Sequence, residues 1–242
     1  MGRCCSLLLS ALLVCCGVQA DSAVPEHIRI ASDVWEGHTH ADGTGLAWDI
    51  LRQVFEPAGV KLQIQSVPYT RSIGLVQRGE ADAWVGSYLN EVDKGVFYPR
   101  RPYDTDQIAA LGLVDKPPPS LATLGEFRLV WMRGYEYQRY LPNLRQYREV
   151  LRRSGILGML DQGHADFYID AITEIEDVLS TAKEPGRYRA TALTSLPIYL
   201  GFADNPRGRA LAGLYDQRMD VLLEQGSLRA IFKRWQQPYP FE

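Results

Sequence analysis

Leu75-Val76-Gln77-Arg78-Gly79-Glu80-Ala81-Asp82-Ala83-Trp84-Val85 is echoed by Met159-Leu160-Asp161-Gln162-Gly163-His164-Ala165-Asp166-Phe167-Tyr168-Ile169. Each copy reads as the end of a helix, a glycine stop, a polar turn, an Ala-Asp pair and an apolar strand. The two glycines stand 84 residues apart. Helix–glycine–strand junctions recur in α/β proteins, so chance similarity is the competing reading. Taken at face value, the echo means two similar α/β lobes.

The rest of the pattern agrees. His27 to Ala31 alternates as a first strand, and Leu46, Ile50, Leu51, Val54 and Phe55 fall at helical spacing. Gly59 stands where a left-handed helix cap belongs, and Val60, Leu62 and Ile64 alternate as a strand. Thr70 is placed to cap a short helix carrying Ile73 and Val76, ended by Gly79, with a strand at Ala81 to Gly86. Strands alternating with helices call for a mostly parallel sheet with helices on its faces. Asp115-Lys116-Pro117-Pro118-Pro119-Ser120 cannot join a central strand and marks a lobe boundary. A second crossing is expected near Leu200 to Asn205, after the apolar strand Leu196 to Phe202. Helical spacing then returns through Leu211, Leu214, Tyr215, Met219, Leu222 and Leu223; Gly226 breaks it, and Ser227 is placed to cap a last helix. The expected division is 21–114 for the first lobe, 115–199 for the second, and 200–242 for the return to the first.

Met1 to Ala20 reads as an export signal: Arg3, an apolar stretch from Leu7 to Cys16, and the small-residue site Val18-Gln19-Ala20. Cleavage after Ala20 and a periplasmic location are the expectation. All 4 cysteines, Cys4, Cys5, Cys15 and Cys16, lie inside this segment, so the mature chain would carry no disulfide and no cysteine metal site. With 26 basic against 29 acidic residues the chain has no basic excess for a phosphate backbone, so no nucleic-acid partner is expected.

In order, these features resemble the family 3 extracellular solute-binding proteins, the periplasmic amino-acid-binding type of ABC transporter. The residues that carry the likeness are His27 to Ala31, Gly45-Leu46-Ala47-Trp48-Asp49, Gln77-Arg78-Gly79-Glu80-Ala81-Asp82 and Tyr98-Pro99-Arg100-Arg101-Pro102-Tyr103. Leu129-Val130-Trp131-Met132-Arg133-Gly134-Tyr135, Gln162-Gly163-His164-Ala165-Asp166 and Gly226 to Trp235 complete it. The resemblance implies a two-lobed type II periplasmic-binding-protein fold with two hinge crossings and a small solute enclosed between the lobes. One departure bears on the ligand. Amino-acid binders of this type follow the Gly-Asp strand with Thr-x-x-Arg, whose arginine clamps the ligand α-carboxylate. Here that stretch is Gly86-Ser87-Tyr88-Leu89-Asn90-Glu91-Val92-Asp93-Lys94, without arginine. The chain looks more like a divergent branch with Pro-Tyr-x-Arg, here Pro68-Tyr69-Thr70-Arg71.

Ligands of open α/β sheets bind outside the carboxyl ends of the strands. That rule nominates Trp35 and Glu36 after the first strand, Tyr69 and Arg71 after the next, and Ser87 and Tyr88 at the end of the Gly-Asp strand. Arg71 is the expected substitute for the missing clamp. Arg133-Gly134-Tyr135, between a strand and an expected helix, is read as an anion site made of backbone N–H groups. Asp170, ending the second-lobe strand, is by resemblance the partner of a ligand amine. Asp82 and Asp166 are read as structural, His38-x-His40 as a polar loop rather than a metal site, and Tyr135, Tyr137 and Tyr140 as a half-buried helix face. No cofactor and no catalytic motif is expected. The expected function is capture of a small polar, amino-acid-like or carboxylate-bearing solute for the permease of an ABC transporter, by a monomer. The alternatives are a dehydratase-like enzyme on the same fold, with Glu36 and Asp170 as its acid–base pair, and a sensory module feeding a membrane receptor.

Overall fold

The structure is a computed structural model and describes residues 25–241; the expected leader and its four cysteines lie outside the described residues. Apolar alternation in His27–Ser32 makes β1, the centre of the first half of the sheet. It is followed by α1 (Leu46–Phe55), β2 (Lys61–Ser66), α2 (Tyr69–Gln77) and β3 (Ala83–Tyr88), and β1 pairs in parallel with both β2 and β3. α1 buries Leu46, Ile50, Leu51, Val54 and Phe55, the stripe expected from their spacing, together with Trp48. β4 (Val96–Phe97) and the long β5 (Asp104–Leu113) come next, and then the second half: β6 (Arg128–Met132), β7 (Gln146–Val150), α3 (Ile156–Asp161), β8 (Phe167–Ala171) and α4 (Ile172–Ser180). β6 repeats the role of β1, pairing in parallel with β7 and β8. β9 (Tyr188–Ala203) then runs antiparallel to β5 and to β3, and α5 (Pro206–Glu224) and α6 (Arg229–Arg234) return to pack on α1.

The strand order is β2-β1-β3-β9-β5-β8-β6-β7, so two three-stranded parallel units are joined by an antiparallel pair. This is the mixed α/β, two-lobed arrangement expected from the alternation. The expected strand at Leu196 to Phe202 is the last part of a 16-residue strand. Its residues Tyr188 to Ile198 pair with β5 and its residues Ile198 to Phe202 with β3, so β5 and β9 themselves carry the chain between the halves. The proline segment at 115–120 follows β5 as irregular backbone.

The internal echo is a structural one. Asp82 of the first copy accepts from Arg29 N at 2.9 Å and returns its own N–H to Arg29 O at 2.8 Å. Asp166 of the second copy does the same with Arg128, at 2.8 Å and 2.7 Å. The Arg29 and Arg128 guanidiniums close back on the same carboxylates at 2.8 Å and 2.9 Å, and Arg207 and Lys116 supply second cations. Each carboxylate thereby pins the turn after the helix to the central strand of its half. Burial pushes both carboxyls up, but the arginine bonds outweigh it and hold both below the usual range. A depressed folded pKa means that this stabilisation is complete above about pH 4 and lost as pH falls through the folded value. Asp82→Ala and Asp166→Ala should each cost about 1–3 kcal/mol, since a strand N–H is left unsatisfied. Urea denaturation checks this, and an unchanged midpoint in either variant would contradict the pinning role.

Three local expectations fail for identifiable reasons. α2 begins at Tyr69 rather than behind a Thr70 cap; the Asp33 carboxylate at the end of β1 accepts from Tyr69 N at 3.1 Å and does the capping from outside. α6 starts after Leu228, not on a Ser227 cap. No α-helix follows Arg133-Gly134-Tyr135. Gly134, Glu136 and Asn143 sit at φ of 88°, 51° and 63°, left-handed positions that interrupt a helix, and only a single 3₁₀ turn at Tyr137–Arg139 forms.

Candidate functional site

The carboxyl ends of β1, β3 and β8 and the start of β5 meet between the two halves and enclose a cavity of ≈ 50 Å³. Its wall is aromatic and acidic: Trp35, Tyr69, Tyr88, Tyr103 and Tyr135 alternate with Glu91, Asp106, Asp170 and Glu174. A second chamber of ≈ 220 Å³ shares His38, Asp106, Ala171 and Thr173 with the first and adds Glu36, Asp104 and Gln107. At about 10–15 Å³ per water-sized particle, the inner chamber has room for a few waters or one small head group.

On the first-half side, Glu91 Oε2 accepts from Tyr69 Oη at 2.6 Å, Ser87 Oγ at 2.9 Å and Tyr88 N at 3.2 Å. Burial pushes this carboxyl up to about 7 although the three donors pull it down. Trp35 reaches the cavity because Gly86, at φ 90°, leaves its ring space: a Cβ there would stand 2.5 Å from the indole. On the second-half side, Arg153 Nη2 lies 3.0 Å from both Asp170 Oδ2 and Glu174 Oε2 and donates to Tyr135 Oη at 2.8 Å. Tyr168 Oη donates to the same Asp170 oxygen. Burial pushes Glu174 up, opposed by Arg153 and reinforced by Asp170.

Several contacts cross from one half to the other. Trp35 Nε1 donates to Tyr135 Oη at 3.0 Å, Tyr88 and Tyr137 hydroxyls lie 3.4 Å apart, and Arg139 pairs with Asp93 at 3.2 Å. The Tyr69 and Tyr135 rings meet edge-on at 5.5 Å. Tyr88 Oη donates to Asp106 Oδ2 at 2.8 Å; burial pushes Asp106 up to about 7, eased by Tyr88 and aggravated by Asp170. Asp104, pushed up by burial to about 8, lies 3.9 Å from His38, whose imidazole burial pulls down to about 4.

Of the residues nominated from the sequence, Trp35, Tyr69, Tyr88, Tyr135 and Asp170 come together around the inner chamber. Glu36 lines only the outer chamber, with its side chain 80% exposed and 3.4 Å from His40. Glu36 and Asp170 therefore make no acid–base pair. Ser87 is fully buried behind the wall, where it serves Glu91. Arg71 lies on the exposed face of α2 and lines neither chamber, so it is no carboxylate clamp here. The Arg133-Gly134-Tyr135 turn is not an anion site. Its N–H groups are spent on Val150 O, Glu149 Oε1 and Met132 O, at 2.8, 3.5 and 3.3 Å, and Arg133 itself is exposed.

Sequence reasoning missed Glu91, Asp106, Tyr103, Glu174, Arg153 and Tyr137. Asp104 and Asp106, two apart at the start of a strand, carried a readable signal, because one face of a strand end pointing into a crevice puts both near it. Glu91 falls in the stretch that stands out for lacking the Thr-x-x-Arg arginine, a pattern that says nothing of what an acid does there. Tyr137 is hidden by the expected helix: it opens the single 3₁₀ turn instead, fully buried, with its hydroxyl 3.5 Å from Asp170. His38, expected in a plain polar loop, belongs to the cavity wall.

No family model matches this sequence, and no curated protein matches it. Solved structures do. The substrate-binding protein of an amino acid ABC transporter aligns at TM-score 0.67 with 18% identity, covering 86% of this chain and 98% of its own. A histidine kinase sensor domain similar to periplasmic binding proteins aligns at TM-score 0.69 with 14% identity, covering 86% and 95%. An ancestral amino-acid-binding protein, described as a precursor of cyclohexadienyl dehydratase, aligns at TM-score 0.65 with 16% identity, covering 87% and 95%. The fold is that of the two-lobed periplasmic binding proteins. Among the described residues no helix is long and apolar enough to cross a membrane.

Proposed function

We propose that this protein is an exported, periplasmic solute-binding protein that closes two lobes over a small polar ligand and presents it to an ABC-transporter permease. The proposed lobes are the two halves of the sheet, with β5 and β9 as the hinge strands. The observation that carries the reading is the cavity itself: its wall is drawn from both halves, and contacts such as Trp35 to Tyr135 bridge them. A cleft of this kind opens and closes about its connecting strands, and a ligand shifts the balance through its extra affinity for the closed form.

Gly134 tests closure. It sits in the second half against α2 of the first, and a Cβ on it would stand 2.6 Å from Thr70 Cγ2. Gly134→Ala should weaken binding of the ligand that co-purifies in the cleft by about tenfold, or 1.4 kcal/mol. Thr70→Ser removes the offending methyl and should restore part of that loss in the double variant, as coupled neighbours do. Scattering of the wild type should shrink on adding that ligand, identified by mass spectrometry after denaturation. A tight ligand that leaves the scattering curve unchanged would sink the clamp.

An enzymatic reading keeps one specific support, a pair of cavity carboxyls, Glu91 and Asp106, that burial moves to about 7, where a general acid or base works best. Recovery of the bound molecule chemically altered after incubation would favour it over binding alone. A sensory role differs only in the membrane partner.

A further inference from the structure

We infer that the cleft takes a small organic cation, an amine or guanidinium without an α-carboxylate, as its ligand. The inference rests on the solute-binding reading of the same cavity and names the class of solute. Four side chains lining the inner chamber are carboxylic, Glu91, Asp106, Asp170 and Glu174, and among the described residues no lysine or arginine lines it. The nearby cation, Arg153, stands behind that wall and is already bound to Asp170, Glu174 and Tyr135. A ligand carboxylate would meet four acids there and no lysine or arginine of the wall.

A second observation points the same way. Glu91 is 4% exposed and lines the cavity, yet its Oε1 accepts from no group of the protein. A buried carboxylate oxygen without a donor is costly, and a donor brought by the ligand removes that cost. The only donors that also suit the surrounding charge are those of an ammonium or guanidinium. The remaining wall is right for such a group, because the faces of tyrosine and tryptophan rings attract cations within about 6 Å of their centroids. The inner chamber is sized for the head group alone, and the outer chamber of ≈ 220 Å³, with Asp104 and Glu36 in its wall, accommodates the rest of the molecule. Neutralising partners among these acids are supplied on binding. Burial first, and neighbouring acids after it, push Glu91 and Asp106 up to about 7 and Asp104 to about 8, so the empty closed cleft holds protons that a bound cation replaces.

Calorimetric titration of the refolded, ligand-free chain at pH 8.5 tests the class with paired probes. 4-Aminobutylguanidine is set against L-arginine, and 1,4-diaminobutane against L-ornithine; within each pair the molecules differ only in the α-carboxylate. Butyrate serves as the anion. At least one amine should bind ten times tighter than its amino-acid parent, and Glu91→Gln should weaken that amine by about 30-fold. Asp106→Asn, a second variant, should weaken it as well and guards against a folding defect in the first. Equal or tighter binding of the amino acids, or binding of butyrate, overturns the cation assignment while leaving a solute-binding protein. Absence of heat with every probe also overturns it. If scattering and melting temperature then respond to no molecule extracted from the native protein, the solute-binding reading falls with it.

Discussion

Arg153→Met should cost the ligand-free protein about 3–5 kcal/mol of stability at pH 7.5, the range for removing one partner of a buried ion pair. The reason is where the charges sit. Arg153 is 19% exposed, whereas the Asp170 and Glu174 side chains it holds are 1% and 10% exposed. Take away the guanidinium and Asp170 keeps a neutral hydrogen bond from Tyr168 but loses its counter-charge. Methionine fills the same volume, so little of the loss comes from a cavity. A carboxylate stranded in a desolvated site escapes by binding a proton. The deficit should therefore shrink when the same denaturation is run at pH 5.5, and shrink again in the double variant Arg153→Met/Asp170→Asn. Urea titrations of the three proteins at two pH values decide it. A midpoint within experimental error of wild type at pH 7.5 would mean that water reaches this pair.

Ligand-free stability should fall by about 2 kcal/mol or more between pH 6.5 and pH 8. Glu91 and Asp106 are held up to about 7 and Asp104 to about 8, all chiefly by burial, and Glu174 is pushed up as well. Their unfolded values lie near 4. A raised carboxyl binds its proton in the folded state and not in the unfolded one across this window, so stability drops as pH rises until the folded value is passed. Averaging one net proton over 1.5 units at 1.36 kcal/mol per unit gives about 2 kcal/mol. Other charges facing the cleft do not reverse the sign. His38, pulled down to about 4, is neutral in both states above its unfolded value near 6.5, and Arg153 keeps its charge throughout. Glu136 acts on Glu91 from the facing segment and only raises it further. Below pH 6 His38, which must be kept neutral, offsets one of these protons, and the profile should turn over only near pH 4, where the unfolded carboxyls take up protons as well and Asp82 and Asp166 begin to lose their arginine bonds. Thermal melts across the range check this; a flat profile from pH 6.5 to pH 8 would place the acids in contact with solvent. An organic cation bound in the cleft should flatten the slope by taking the place of the protons.

Much of the architecture was legible because it is written in local spacing. The α1 stripe, the Gly59, Gly79 and Gly163 stops and the alternation of β1 each depend on a few neighbouring residues and on which face meets the core. The echo was legible for the same reason, and the two aspartates read as structural prove to make matching bonds in both halves. Half of the candidate site could be read as well. A rule about strand ends is enough to nominate Trp35, Tyr69 and Tyr88, while Asp170 comes from the family resemblance and Tyr135 from a turn read for its backbone N–H groups.

What failed was whatever required knowing which side chains face one another. Arg71 and the Arg133-Gly134-Tyr135 turn answer an expected ligand anion, yet both arginine side chains are exposed and the N–H groups of the turn are already bonded. Glu91 sits four residues past Ser87 and looked like one more surface acid, until the Tyr69 hydroxyl, 22 residues away, is seen closing over it at 2.6 Å.

By itself, then, the sequence determined the units: two repeated α/β modules, their order, and the strand ends where a ligand would lie, because hydrophobic periodicity and glycine conformations act over a single turn or strand. The tertiary structure alone decided the charge of the site. Whether an acid is a solvated surface group or a desolvated cavity wall depends on its burial, and burial at this cleft comes from the other half of the molecule. Tyr137, 46 residues beyond Glu91 in the chain, is buried at the start of a 3₁₀ turn that follows Glu136 at a left-handed φ. Desolvation is a property of closure, and closure brings together residues that no local pattern connects.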